Sequence, residues 1–208
     1  MTFIEPDGAT PLDPDELQGL KFPHVTTRGE LDELEQANIE QGLAWLDRRR
    51  SGTIFDDRFV RTLHKRLFGD VWSWAGSYRQ TEKNIGIDPL HISVQLRVLL
   101  DDAHFWAVNE TYPPLEAAAR FHHRMVHIHP FANGNGRHAR VAADILLMEA
   151  YAKPAITWAG GYDLQADNAR RKDYISALRA ADAGNIEPLL KFVGASNRYK
   201  RPRRQTVM

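Results

Sequence analysis

The sequence predicts an all-α protein with one short extended flap and a helical extension at its N-terminus. Three observations lead there. Apolar residues recur at helical spacing in seven segments of this 208-residue chain. Pro and Gly cluster at the boundaries of several of those segments, at Gly69, Pro113-Pro114, Pro130 and Gly134. Only residues 71–91 carry an aromatic, turn-rich composition with β-prone stretches.

The elements follow in order. Residues 1–25 form an arm, because Pro6, Pro11, Pro14 and Pro23 break helices and Gly8 and Gly19 loosen the rest. Leu31, Leu34, Ala37, Ile39, Leu43 and Leu46 mark a first helix, with Thr26 or Thr27 as its N-cap and Ser51-Gly52 as its end. Phe55, Phe59, Leu63, Leu67 and Phe68 mark a second, closed by Gly69-Asp70. Residues 71–91 then form a loop that carries a small hairpin around Lys83-Asn84 and Gly86. Further helices are expected from about Ser93 to Asn109, from Pro113 or Pro114 to Ile128, from Asn135 to Tyr151, from Asp167 to Ala181 and from Asn185 to Val193. The basic stretch Arg198–Arg204 reads as a solvated tail. The expected division is an arm and helix over 1–52, one domain over 53–195, and the tail over 196–208.

Composition excludes several function classes. There is no Cys, so disulfide frameworks, thiolate metal sites and cysteine nucleophiles are ruled out. Lys plus Arg and Asp plus Glu are 27 each, so general electrostatic capture of nucleic acid is not expected. No run of 18 apolar residues exists, and the first ten residues lack a basic signal region, which gives a cytoplasmic expectation with no membrane partner.

The chemistry concentrates in His129-Pro-Phe-Ala-Asn-Gly-Asn-Gly-Arg-His-Ala-Arg140. Pro130 stops one helix, and another starts near Asn135 or Gly136 after a Gly- and Asn-rich turn. Gly134 and Gly136 allow the backbone to approach a ligand, and the N-terminus of the second helix offers free N–H groups to an anion. Arg137 and Arg140 add positive charge on neighbouring turns. His129 stands at the other lip as a base suited to neutral pH. A base beside a phosphate-sized anion site points to phosphoryl-type transfer.

This segment resembles the signature of the Fic (Fic/Doc) family, His-x-Phe-x-(Asp/Glu)-Gly-Asn-Gly-Arg-x-x-Arg. Seven of its eight defined positions match: His129, Phe131, Gly134, Asn135, Gly136, Arg137 and Arg140. A chance match of this kind is on the order of one in a billion per position. Trp74-Ala-Gly-Ser-Tyr-Arg79 is similar to the segment leading into the Fic flap, and the wider sequence, including Leu31 to Ile39, is most similar to the bacterial subgroup called mobile mystery protein B. The resemblance implies a Fic-type helical bundle and a protein adenylyltransferase that moves AMP from ATP to a Ser, Thr or Tyr hydroxyl of a target protein. His129 would be the general base. Gly134, Asn135, Gly136 and Arg137 would hold the phosphates, and Arg140 would brace that loop or pair with the β/γ end. The flap residues Thr81, Glu82, Lys83, Asn84, Ile85, Gly86 and Ile87 would dock the target as an added strand. Mg²⁺ or Mn²⁺ would bridge the phosphates. Asn133 stands where the family has its acidic metal ligand, which weakens the expected hold on a hard cation. Thr26 to Glu30 partly fits the family's inhibitory pattern, with Leu31 departing from it, and it also reads as an ordinary N-cap with an acidic first turn. The subgroup resemblance also implies a separate inhibitory or helix-turn-helix partner.

Other readings compete. Transfer of another phosphate-containing group is one, and a catalytically weak nucleotide-binding module of a toxin–antitoxin-like pair is another, favoured by Asn133. His123 and His127 have metal-binding spacing, but a third ligand would have to come from His104, Asp101 or Asp102. Gly134-x-Gly136-x-x-Ala139 lacks the preceding strand a dinucleotide fingerprint needs.

Overall fold

A computed structural model describes residues 10–49, 53–158, 164 and 167–194. Arg50, Ser51-Gly52 and the basic tail with its Lys200–Arg204 cluster lie outside the described residues. The helices are α1 (Pro14–Leu17), α2 (Arg28–Arg48), α3 (Asp57–Phe68), α4 (Ile92–Val108), α5 (Pro114–Ile128), α6 (Asn135–Tyr151), α7 (Ala169–Asp182) and α8 (Glu187–Phe192), with a 3₁₀ turn at Pro89–His91 before α4. Among the described residues no helix is long and apolar enough to cross a membrane.

The helix ends follow from local chemistry. The Thr27 hydroxyl accepts the Glu30 N–H while the Glu30 carboxylate accepts the Thr27 N–H, a reciprocal cap that starts α2. Asp56 caps α3 by accepting the Arg58 N–H at 2.9 Å. Pro114 opens α5, where its missing N–H costs nothing.

α5 and α6 pack against each other as an antiparallel pair, and their connecting turn is the His129–Gly134 segment. Phe121 and Met125 of α5 and Ala139, Ala142, Ala143 and Leu146 of α6 are all buried in the core. The alanines let the two backbones approach. α4 packs on the other side of α5, α3 touches both α4 and α6, and α2 lies on α3. Leu63, Leu67 and Phe68 of α3 complete the core beneath the turn.

Two expectations are corrected. The proline-rich arm contains one turn of helix, α1, because Pro14 occupies its first position and Glu16 caps back onto the Asp13 N–H at 2.8 Å. The arm is also docked: Lys21 N–H donates to the Val71 carbonyl and Ser73 N–H to the Gly19 carbonyl, both at 2.9 Å, around an isolated bridge between Leu20 and Trp72. The flap is not a hairpin. Residues 79–88 run without a strand, because carbonyls that a neighbouring strand would pair are taken instead by the Arg79 guanidinium.

The core holds three further histidines. His138 Nε2 bonds the Val60 carbonyl at 3.0 Å, His122 Nε2 bonds the Tyr174 hydroxyl at 2.9 Å, and His64 is packed on Phe131. Burial pushes the His122 imidazole down to about 3 and the His138 imidazole to about 4, and it lowers His64 well below 6.5. The unfolded chain takes up protons below 6.5 that these folded imidazoles refuse, so the stability they contribute above 6.5 is lost as pH falls towards 4. Burial raises the Asp144 carboxyl to about 6 and also raises that of Asp32, an opposing effect from two groups. The urea midpoint is therefore expected to drop steadily between about pH 7 and about pH 4.5. A midpoint constant across that range would contradict the assignment of neutral buried imidazoles.

Candidate active site

His129 follows the last turn of α5 in the left-handed region, at φ 53°, with its N–H on the Met125 carbonyl at 3.2 Å. A non-glycine residue held there costs about 1–2 kcal/mol, and the surrounding contacts must hold it. They come mainly from Arg79. Its Nε donates to the His129 carbonyl at 2.7 Å, its Nη1 to the Thr81 carbonyl at 2.8 Å and its Nη2 to the Ile87 carbonyl. Its own N–H donates to the Pro130 carbonyl at 3.0 Å. One buried cation thus ties the flap to the α5–α6 turn.

His129 is only 4% exposed. Nδ1 faces the Val126 carbonyl at 3.4 Å, which can only accept, so the proton is assigned to Nδ1. Nε2 is left to accept the Thr10 hydroxyl at 2.9 Å. Burial, and then the nearby Arg79 charge, lowers the imidazole to about 4, so it is neutral at pH 7 and able to take a proton.

The turn beyond it is built to approach a ligand. Gly134 caps α6 at φ 76°, and a Cβ there would stand 2.8 Å from the Phe68 ring, so only glycine fits. The Asn135 side chain clamps the turn, accepting the Phe131 N–H at 2.9 Å and donating to the Phe131 carbonyl at 2.8 Å. It faces inward and shapes the loop, so what Asn135 offers to a ligand is its backbone. Gly76 N–H donates to His64 Nδ1 at 3.0 Å, which leaves His64 Nε2–H to donate to the Asn133 carbonyl, also at 3.0 Å. A Cβ at Gly136 would find nothing nearer than Arg140 Nη1 at 3.7 Å and the Tyr174 hydroxyl at 3.9 Å. That leaves room for a ligand beside the first turn of α6, whose N–H groups lack intrahelical partners.

The expected cations are near but engaged. Arg137 pairs with Glu35 at 2.5 Å and lies over the Phe68 ring at 4.8 Å. Arg140 lies 5.6 Å from the Tyr174 ring centre. Glu35 also accepts Trp72 Nε1–H at 2.7 Å. Glu30, by contrast, bonds the N–H groups of Thr26 and Thr27 at the start of its own helix and none of the motif residues. The carboxylate of α2 that reaches the motif is thus Glu35, a little over one turn further on.

The donor set does not fit a protein-held metal. Asn133 Oδ1 already accepts the Gly134 N–H at 2.6 Å, and its Nδ2 donates to the Thr10 carbonyl at 3.0 Å. Among the described residues no three His, Asp or Glu side chains come together as ligands. His123 and His127 both face Asp182 Oδ1, at 2.8 and 3.3 Å, without a further ligand from Asp101, Asp102 or His104.

Of the flap residues, Thr81 and Lys83 both bond Asp13 at 2.8 Å, and Lys83 also reaches Glu16. Gly86 crosses directly over the histidine at φ 101°, where a Cβ would stand 2.6 Å from His129 Cβ. Glu82, Asn84, Ile85 and Ile87 continue the same loop. Sequence reasoning missed Thr10, Glu35, His64 and Arg79 as site residues. His64 carried a readable signal, a polar residue between Leu63 and Leu67 on the apolar face of α3. The others meet the motif only through the fold.

Gly86→Ala is expected to lift the flap from His129, since both the positive φ and the 2.6 Å approach forbid a Cβ. Hydrogen exchange across residues 80–88 should accelerate by about tenfold or more while the α5–α6 core keeps its protection. Unchanged exchange in the flap would refute the contact.

Residues 54–147 match the Fic/DOC family. The chain is 31% identical over 138 residues to a protein adenylyltransferase Fic of Drosophila grimshawi, a match covering 64% of this chain and 27% of that protein. It is 30% identical over 142 residues to protein adenylyltransferase fic-1 of Caenorhabditis elegans, covering 64% and 25%. The chain thus spans about a quarter of the length of these curated relatives. The solved structure of BepC from Bartonella tribocorum, with bound AMPPNP, superposes with a TM-score of 0.68 at 18% identity, covering 92% of this chain and 94% of that one. The helical bundle here is the fold of that structure, and residues 54–147, which hold the flap, the histidine and the glycine turn, form a Fic/DOC family domain.

Proposed function

We propose that this protein transfers AMP from ATP to a hydroxyl group of a target protein. The observation that carries the proposal is the neutral His129 imidazole, whose Nε2 accepts a hydroxyl at 2.9 Å next to the N-terminus of α6. Likeness to named adenylyltransferases and to a nucleotide-bound Fic structure supports it.

In this reading the target hydroxyl takes the place of Thr10 and passes its proton to His129 Nε2. The freed oxygen attacks the α-phosphorus, and pyrophosphate leaves. The N–H groups of Asn135, Gly136 and Arg137, with the Arg137 and Arg140 guanidinium groups, hold the phosphates. Most of the acceleration then comes from positioning and fixed charge. The flap from Thr81 to Ile87 holds the target backbone, with Arg79 keeping it in place. Glu35 opposes nucleotide entry by occupying Arg137, a restraining role that the partial match at Thr26 to Glu30 had offered to Glu30 beside its reading as an ordinary N-cap. The catalytic unit is proposed as residues 53–195. The likeness to the mobile mystery protein B subgroup, with its neighbouring partner protein, belongs to this reading as well.

His129→Ala should lower transfer of label from α-labelled ATP to lysate proteins by about a hundredfold or more. With the imidazole held near 4, wild-type transfer should stay level through neutral pH and fall only as pH drops towards 4, where the base becomes protonated. Labelling from γ-labelled ATP instead would mean phosphate transfer and would overturn the AMP reading.

A divalent ion on the nucleotide would neutralise phosphate charge, with no carboxylate of this chain to hold it at position 133. Asn133→Asp is expected to tighten Mg²⁺ binding by about tenfold, read by titration calorimetry in the presence of a nonhydrolysable ATP analogue. Unchanged metal affinity would show that position 133 is not the ligand position.

A further inference from the structure

Thr10 is a threonine hydroxyl already sitting where the proposed reaction needs one. Its Oγ1 lies 2.9 Å from His129 Nε2, within reach for proton transfer. The residue is 6% exposed, so solvent has little access to the pair. A buried hydroxyl is commonly satisfied by a backbone carbonyl, whereas this one faces the unprotonated nitrogen of a base.

The backbone around it is held as a docked segment is held. The Thr10 carbonyl accepts Asn133 Nδ2–H at 3.0 Å, and Asn133 is bonded in turn to the Gly134 N–H at the start of α6. Asp13 bonds Thr81 and Lys83 of the flap, Glu16 pairs with Lys83, and Trp74 Nε1–H donates to the Glu16 carbonyl at 3.0 Å. The following Pro11 biases Thr10 towards the extended conformation that a strand-like substrate adopts. The arm therefore lies against the flap and the glycine turn together, as the target segment would.

We propose that Thr10 is a self-modification site, adenylylated by the active centre of its own chain. The inference rests on the adenylyl-transfer reading above. The Thr10 Oγ–H proton passes to His129 Nε2. The oxygen forms a bond to the α-phosphorus of ATP, the bond from that phosphorus to the bridging oxygen breaks, and pyrophosphate leaves. The product is a threonyl–AMP phosphodiester, and His129 then returns its proton to solvent. Because nucleophile and base are fixed in one chain, the reaction is unimolecular in protein and gains the rate advantage of a pre-positioned pair.

The test uses the purified full chain with α-labelled ATP, beside a bacterial lysate carrying the same enzyme. The expected result is label on the chain itself, within the tryptic peptide ending at Lys21 and assigned by fragmentation to Thr10 rather than Thr2. The rate constant should be independent of protein concentration. Thr10→Ser should keep the label, and Thr10→Val and His129→Ala should each lose it. A rate constant that rises with protein concentration would overturn modification in cis. Labelled lysate proteins with Thr10 unmodified, or label elsewhere on the chain, would overturn this proposal and leave the transferase reading standing. No label on the chain or on any lysate protein would overturn both.

Discussion

The site depends on one buried guanidinium. Arg79 is 3% exposed and bonds three carbonyls, those of His129, Thr81 and Ile87. Among the described residues its hydrogen bonds go to carbonyl dipoles, the carboxylates of Glu16, Asp88 and Glu82 favour its charge from further off, and burial lowers its affinity for a proton. The arrangement has two consequences. It fixes the left-handed backbone of His129, which would otherwise relax to a commoner conformation. It also replaces the sheet pairing that a flap of extended chain would normally require. The flap is thus an accessory of the α5–α6 turn, and its position over the imidazole is set by the same side chain that sets the imidazole itself.

The turn has a second, independent lock. Asn135 closes a ring with the backbone of Phe131, Gly134 lies against Phe68, and His64 holds the Asn133 carbonyl from below while stacking on Phe131 with ring centres 3.7 Å apart. The side chains that hold the turn, Asn135, Phe68 and His64, come from packed helices rather than loops. A motif written as consecutive residues is therefore only half of the device. The other half is the apolar face of α3, which presents His64 and Phe68 to it.

The helices were legible because their periodicity and end signals are local. α6 falls at Asn135–Tyr151 as expected, and α5 opens on Pro114 and stops before Pro130 as its prolines require. The motif was legible for the same reason: its residues are neighbours in sequence. What could not be read is whatever depends on distant chain segments meeting. Thr10 lies 119 residues from His129, and Glu35 lies 102 residues from Arg137. Nothing in the pattern Leu31 to Ile39 tells which carboxylate of the helix faces a partner still unformed. The flap was misread for a related reason. β-branched and glycine residues suggested pairing, but the hydrogen bonds went to a side chain placed just before it.

The ion pairs around the motif show what the N-terminal segment contributes. On the adenylyl-transfer reading, the domain side supplies cations for an anionic nucleotide and for a docked target, Arg137 and Lys83 among them. The segment before residue 49 supplies carboxylates that meet them, Glu35 on Arg137 and Asp13 and Glu16 on Lys83. Such partly desolvated pairs add little net stability, because desolvation offsets most of the attraction, but removing one member leaves a costly unpaired charge. A phosphate replacing Glu35 at Arg137 avoids that cost on the arginine side, and Glu35 keeps its bond from Trp72. A target segment replacing the arm must likewise bring its own acceptor for Lys83. On the adenylyl-transfer reading, the N-terminal segment would stand in for both substrates, a carboxylate in place of phosphate and Thr10 in place of the target hydroxyl. Selectivity would follow from that exchange: a competing target would gain access only by matching what the arm already provides.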